Sequence, residues 1–303
     1  MVNDAWPALP LAPWADTYAT LHMWTQIVGK IRLRASAPIN HSWHTTLYVT
    51  ARGLTTSLMP WGSRAFQIDF DFIDHALLIQ VSNGATARVR LGPQATAAFY
   101  RQVMEALHRF GIDLHIHATP NEVMEPIPFA QDEVHREFDI AAVERFWRVL
   151  LQCDRVFKVF RSRFIGKCSP VHLFWGALDL AVTRFSGRPA PPHPGGLPNL
   201  PDRVTREAYS HEVASSGFWP GSPGSALAYP AFYSYAYPGP EGYTDVRVRP
   251  DQAFYSADFK EFILPYDVVR EAANPDEVLL DFLQSTYDAA ADLARWNRKS
   301  LER

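Results

Sequence analysis

Residues 66–72 read Phe-Gln-Ile-Asp-Phe-Asp-Phe, a strict alternation of apolar and polar side chains. Only a β-strand, whose successive side chains point to opposite faces, gathers Phe66, Ile68, Phe70 and Phe72 together and leaves Gln67, Asp69 and Asp71 on the other side. A half-buried strand of this kind needs partners. Residues 76–81 and 87–91 are apolar-rich, and the segment between them carries Asn83-Gly84, the signature of a tight hairpin. The chain is therefore committed to an antiparallel sheet with one face on a core.

Helical periodicity frames this sheet. Asp16 is placed to cap a helix to about Arg34, with Tyr18, Leu21, Trp24, Ile27, Val28 and Ile31 on one stripe. Pro93 opens a second helix, through Phe99, Val103, Leu107 and Phe110, that Gly111 stops. Asp139 caps the longest one, whose apolar face runs from Val143 to Phe164 before Gly166. A last helix starts at Asn274-Pro275-Asp276-Glu277 and reaches about Trp296. Further strands are expected over residues 44–56 and 169–188, and in shorter pieces near Tyr209, 232–237, 246–248 and 262–264. Residues 186–206 are rich in Pro and Gly and read as an excursion without regular structure.

Both halves repeat an order of helix, strand entered beside a histidine, further strands, and helix. The expected fold is thus α+β: two related halves, residues 1–130 and 131–303, each a mainly antiparallel sheet flanked by helices, packed as one unit around a shared pocket. An apolar content of 47% over 303 residues supports a large core. With 29 Lys and Arg against 32 Asp and Glu, no basic field exists to attract nucleic acid. Cys153 and Cys168 are too few for a disulfide framework, and no signal peptide or membrane-spanning apolar run is visible. A cytoplasmic protein with a small-molecule partner is expected, its oligomeric state left open.

Several long motifs carry a resemblance. They are residues 25–33 (TQIVGKIRL), 47–56 (LYVTARGLTT), 70–75 (FDFIDH), 166–188 (GKCSPVHLFWGALDLAVTRFSGR) and 209–221 (YSHEVASSGFWPG). Together they resemble a bacterial family of uncharacterised proteins, the domain of unknown function 5996 family, over nearly the whole chain. The resemblance implies one unit, not a fusion of unrelated domains, and brings no activity or site residues with it.

The chemistry must therefore be read from the residues. His44, His75, His172 and His211 recur near the starts of corresponding strands, and their convergence about a pseudo-twofold axis would suit a transition metal such as Fe, Zn or Cu, with Asp71 or Glu212 as an additional carboxylate. Arg52 and Arg184, each near glycine and hydroxyls, are candidates to anchor an acidic group of a substrate. The competing reading makes these histidines neutral core residues that hydrogen-bond neighbouring strands. Asp179 follows His172 at an odd offset, on the opposite face of a regular strand unless Gly176 forms a bulge, and an ion pair with a nearby arginine is its expected role. The aromatic runs at 217–221 and 231–238 either line a pocket or pack long loops. Three functions follow: a metal-dependent oxidoreductase or hydrolase acting on a small, partly apolar substrate; a non-catalytic small-molecule-binding protein; and a cofactor-free His/Asp acid–base enzyme.

Overall fold

Helix α1 (Ala15–Ala35) is buried around nearly its whole circumference, so it lies inside the molecule rather than on its surface. This is a computed structural model in which residues 5–196 and 200–303 are described; residues 1–4, and positions 197–199 of the Pro/Gly-rich excursion, lie outside the described residues. After α1 come strands β1 (Tyr48–Thr50), β2 (Gly53–Thr55), β3 (Met59–Trp61), β4 (Arg64–Asp71), β5 (Ala76–Val81) and β6 (Thr86–Arg90), then α2 (Thr96–Arg109). Helix α3 (Ile140–Ser162) leads into β7 (His172–Phe174), β8 (Asp179–Pro189), α4 (Asp202–Ala208), β9 (His211–Trp219), β10 (Ala231–Tyr237), β11 (Phe254–Ser256) and β12 (Glu261–Pro265). The chain closes with α5 (Tyr266–Arg270), α6 (Pro275–Leu293) and α7 (Arg298–Leu301).

The strands form two antiparallel six-stranded sheets flanked by helices, the expected α+β architecture. The first runs β1-β2-β4-β5-β6, and β3 pairs with β4 beyond the end of β2. The second runs β7-β8-β9-β10-β12-β11. Taking β2 and β3 as one interrupted strand, the two orders correspond, with β11 as an added edge. The edges meet where Leu47 and Leu173 exchange backbone hydrogen bonds at 2.9 and 2.8 Å. Both leucines are fully buried, and one hydrophobic cluster extends from Trp6 to Trp296 across both halves. No helix among the described residues is long and apolar enough to cross a membrane.

Local chemistry explains where the strands break. Residues 44–56 do not form one strand; Ala51 and Arg52 make a turn between β1 and β2, and Gly53 enters β2 at φ 153°, with Phe70 carbonyl so close that a Cβ there would collide. Residues 169–188 likewise fold as a hairpin. Gly176 lies in its turn and not at a bulge, and Leu178 takes a left-handed φ of 57°. Trp175 lies flat against Gly29 of α1, where any side chain would clash with the indole, and donates to Thr45 carbonyl at 2.7 Å. Asp139 caps α3 by accepting from the N–H groups of Ala141 and Ala142, and Asn274 caps α6 through Glu277 N–H. Asp16 makes no capping bond, since α1 starts one residue earlier behind a short 3-10 turn.

Candidate functional site

Alternation along β8, β9 and β10 divides the second sheet into two unlike faces. Leu180, Val182, Phe218 and Phe232 are fully buried on one face. The other carries Asp179, Thr183, Ser215, Gly217, Tyr233 and Tyr235, with Gly217 opposite both Ala181 and Tyr233 in register. Gly217 has no side chain, and a Cβ there would strike the Tyr233 phenol. Tyr233 thus lies across β9 and donates to Asp179 Oδ2 at 2.5 Å. Tyr233 and Tyr235 stack at 6.2 Å, and Tyr209 donates to the Tyr235 hydroxyl at 2.9 Å.

Two more carboxyl groups reach this face. Glu261 opens β12, one step along the register that pairs Ser234 with Phe262. Glu122 arrives from the long connection between α2 and α3, in a left-handed conformation at φ 58°, its carboxylate pressed on the buried Gly176. A polar row on α1 fixes that connection: Gln26 accepts from Asn121 N–H at 2.8 Å and donates to its carbonyl at 2.8 Å, and Lys30 donates to the Asn121 side chain. One turn earlier His22 Nε2 lies 2.7 Å from Gly176 carbonyl and 3.1 Å from the Gln26 amide nitrogen. Burial holds His22 neutral by lowering it to about 4.

Asp179 and Glu261 are half-buried, whereas Glu122 is exposed, so desolvation acts chiefly on the first two. Burial lifts Asp179 to about 6, against the opposing hydrogen bond from Tyr233. Burial, then the charge of Asp179, lifts Glu261 to about 8. Burial likewise raises Tyr209 to about 12 and keeps Tyr233 and Tyr235 as neutral phenols. Among the described residues no arginine or lysine forms an ion pair with any of the three carboxyls. Asp179 and Glu261 therefore differ in their readiness to hold a proton, the condition under which one carboxyl group takes a proton and another gives one.

The residues singled out in the sequence go elsewhere. His75 occupies a turn at φ 49°, 3.8 Å from Glu144. His44 Nδ1 stays with the backbone of Ile39. His172 is fully buried, its Nδ1 3.2 Å from Thr46 Oγ1, and burial drops it to about 3. His211 is on the same face of β9 as Gly217, with Nδ1 3.1 Å from Ser210 Oγ. Among the described residues no group of three or more His, Cys, Asp or Glu is arranged to hold a metal, so these four histidines form no common ligand set. Asp71 is a turn clamp: it accepts from Ile73 N–H, Asp74 N–H and Arg52 Nε, the last at 2.7 Å. Burial pushes its carboxyl up, but these bonds together outweigh it and hold the group below its ordinary value. Arg52 is spent on Asp71 and Asp74. Glu212 pairs with Arg188 at 2.7 Å on the opposite face.

Asp179 finds a tyrosine, not an arginine. Arg184 is five residues along β8, hence on the other face, where its guanidinium lies 3.5 Å from the Phe160 ring centroid and 4.3 Å from that of Tyr287. Glu122, Glu261 and His22 escaped sequence reading because nothing local marks them. Tyr233 and Tyr235 had a signal, since in residues 231–238 the tyrosines alternate onto one face.

Comparisons with curated proteins and with solved structures give no match. A profile described as "Family of unknown function (DUF5996)" matches residues 6–303, nearly the whole chain, and the protein belongs to that family.

Proposed function

We propose that this protein is an acid–base enzyme acting on a small polar molecule at the face of the second sheet that carries Asp179. Asp179 serves as the base and Glu261 as the acid. Tyr233 orients Asp179 by donating to it, and the rings of Tyr209 and Tyr235 wall the site. One observation carries the reading: among the described residues Asp179 forms no ion pair with a cation, accepts from the Tyr233 hydroxyl, and is half-buried on a sheet face that also carries Glu261. Asp179 and Glu261 titrate as a coupled pair, so acid and base coexist over a broad range around pH 7. A cytoplasmic setting belongs to the same proposal and is supported by two free cysteines, Cys153 and Cys168. The metal-dependent alternative has no ligand group in its support among the described residues.

The test is to find ligands by thermal-shift screening of a panel of sugars, amines and hydroxy acids, then to follow each hit for turnover by NMR. Asp179→Asn is expected to keep fold and binding while losing turnover by ~10²–10⁴, the range a positioned general base supplies. Ligands that bind the wild type but not Asp179→Asn, Tyr233→Phe or Glu261→Gln proteins, without any turnover, would overturn the enzymatic reading in favour of a binding protein.

A further inference from the structure

Lys167 lies away from Asp179. Its carbonyl accepts from Phe185 N–H at 3.0 Å, and Phe185 is six residues along β8 from Asp179, ~20 Å at the rise of a strand. Lys167 Nζ is 2.6 Å from His41 Nε2. The His41 Nδ1 nitrogen is 3.0 Å from the carbonyl of Ala208, which only accepts, so Nδ1 carries the proton and Nε2 presents a lone pair to the lysine. His41 is thereby oriented on one side by a backbone group and on the other faces an amine, the arrangement of a nucleophile, its base and a group that aims the base.

The local backbone is bent to make this contact. His41 and Ser42 both occupy the left-handed region, at φ 59° and 58°, a conformation that costs non-glycine residues energy and is retained only where the surroundings impose it. His41 is 5% exposed, whereas Lys167 is open to solvent. Aromatic rings flank the amine, with Phe185 at 4.8 Å and Trp43 at 5.5 Å from Nζ. The titratable groups facing the pair are His211, whose ring is 6.2 Å from that of His41, and no carboxylate forms an ion pair with Lys167 among the described residues. Desolvation lowers Lys167 below the ordinary lysine value.

We infer that Lys167 and His41 form a reactive amine–imidazole pair that condenses with small aldehydes or ketones. The Lys167 amine adds its lone pair to the carbonyl carbon, and His41 Nε2 carries one proton from the nitrogen to the resulting alkoxide to give a neutral carbinolamine. His41 Nε2 then takes the second proton that nitrogen loses and delivers it to the departing hydroxyl. The C–O bond breaks, C=N forms, and one water leaves, with no change of oxidation state.

The experiment is reductive trapping of the whole chain with acetaldehyde and cyanoborohydride at pH 7, followed by peptide mass spectrometry. Lys158, Lys260 and Lys299 are exposed and serve as internal standards. Lys167 is expected to be labelled faster than these on the order of tenfold, a modest share of what a positioned general base supplies. His41→Gln is expected to abolish the advantage while the standards keep their rates. Equal rates at all four lysines in the wild-type protein would overturn the inference whether or not the variant folds. So would an undiminished advantage in a folded His41→Gln protein.

Discussion

Gly217 decides the geometry of the Tyr233–Asp179 contact through the side chain it lacks. A methyl group there would meet the Tyr233 phenol and the Leu180 carbonyl, the latter at 2.6 Å. Gly217→Ala is therefore expected to cost ~1–3 kcal/mol of stability by overpacking and to displace Tyr233 from Asp179. Urea denaturation measures the first, and a tyrosine absorbance titration that finds Tyr233 ionising more readily measures the second. Asp179 itself was legible as a polar residue in an apolar strand, but its partner was not. The odd spacing that separates His172 from Asp179 also separates Asp179 from Arg184, so strand parity alone argues against the ion pair. Tyr233, by contrast, is brought near only by the pairing of β8, β9 and β10, which no local pattern in the sequence encodes.

At the scale of elements, α1 does more than fill the core. Its row of His22, Gln26 and Lys30, spaced four apart, holds the Gly176 turn and the Asn121 backbone, and through them Glu122. Gln26 is fully buried, so Gln26→Ala is expected to strand the Asn121 groups and cost ~1–3 kcal/mol. It should also release the connection. Limited digestion with a glutamate-specific protease should then cleave after Glu122 faster than in the wild type, and unchanged cleavage would separate α1 from the positioning of Glu122. The helices were legible because their apolar stripes and caps are local, as at Asp139 and Asn274. The two hairpins at 48–55 and 172–189 were less so. Their turns, Ala51-Arg52 and Trp175-Gly176-Ala177-Leu178, hold few of the residues that usually mark reversal, and apolar content runs through them.

Over the whole molecule, the matching strand orders and the Leu47–Leu173 junction support the repeated element order seen in the sequence, although the residues that gather into a site are not the repeated histidines. The raised carboxyls also leave a mark on global stability. For Glu261 the folded value of about 8 lies above the ordinary 4.5, so the folded chain holds a proton that the unfolded chain releases between these values. Its contribution is a loss of stability as pH rises through that window, and Asp179 adds to it with the same sign. His22 and His172, lowered to about 4 and about 3, act oppositely: they remove stability as pH falls below the ordinary histidine value of 6.5. The central claim, that the second sheet carries carboxyls protonated near neutrality, is read most directly by carbon-13 NMR titration of the Asp and Glu side-chain carboxyls, assigned with Asp179→Asn and Glu261→Gln. Two carboxyl resonances titrating at about 6 and about 8, each lost in one variant, are the result the structure predicts. Titration of both below pH 5, with the ordinary surface carboxyls, would contradict it.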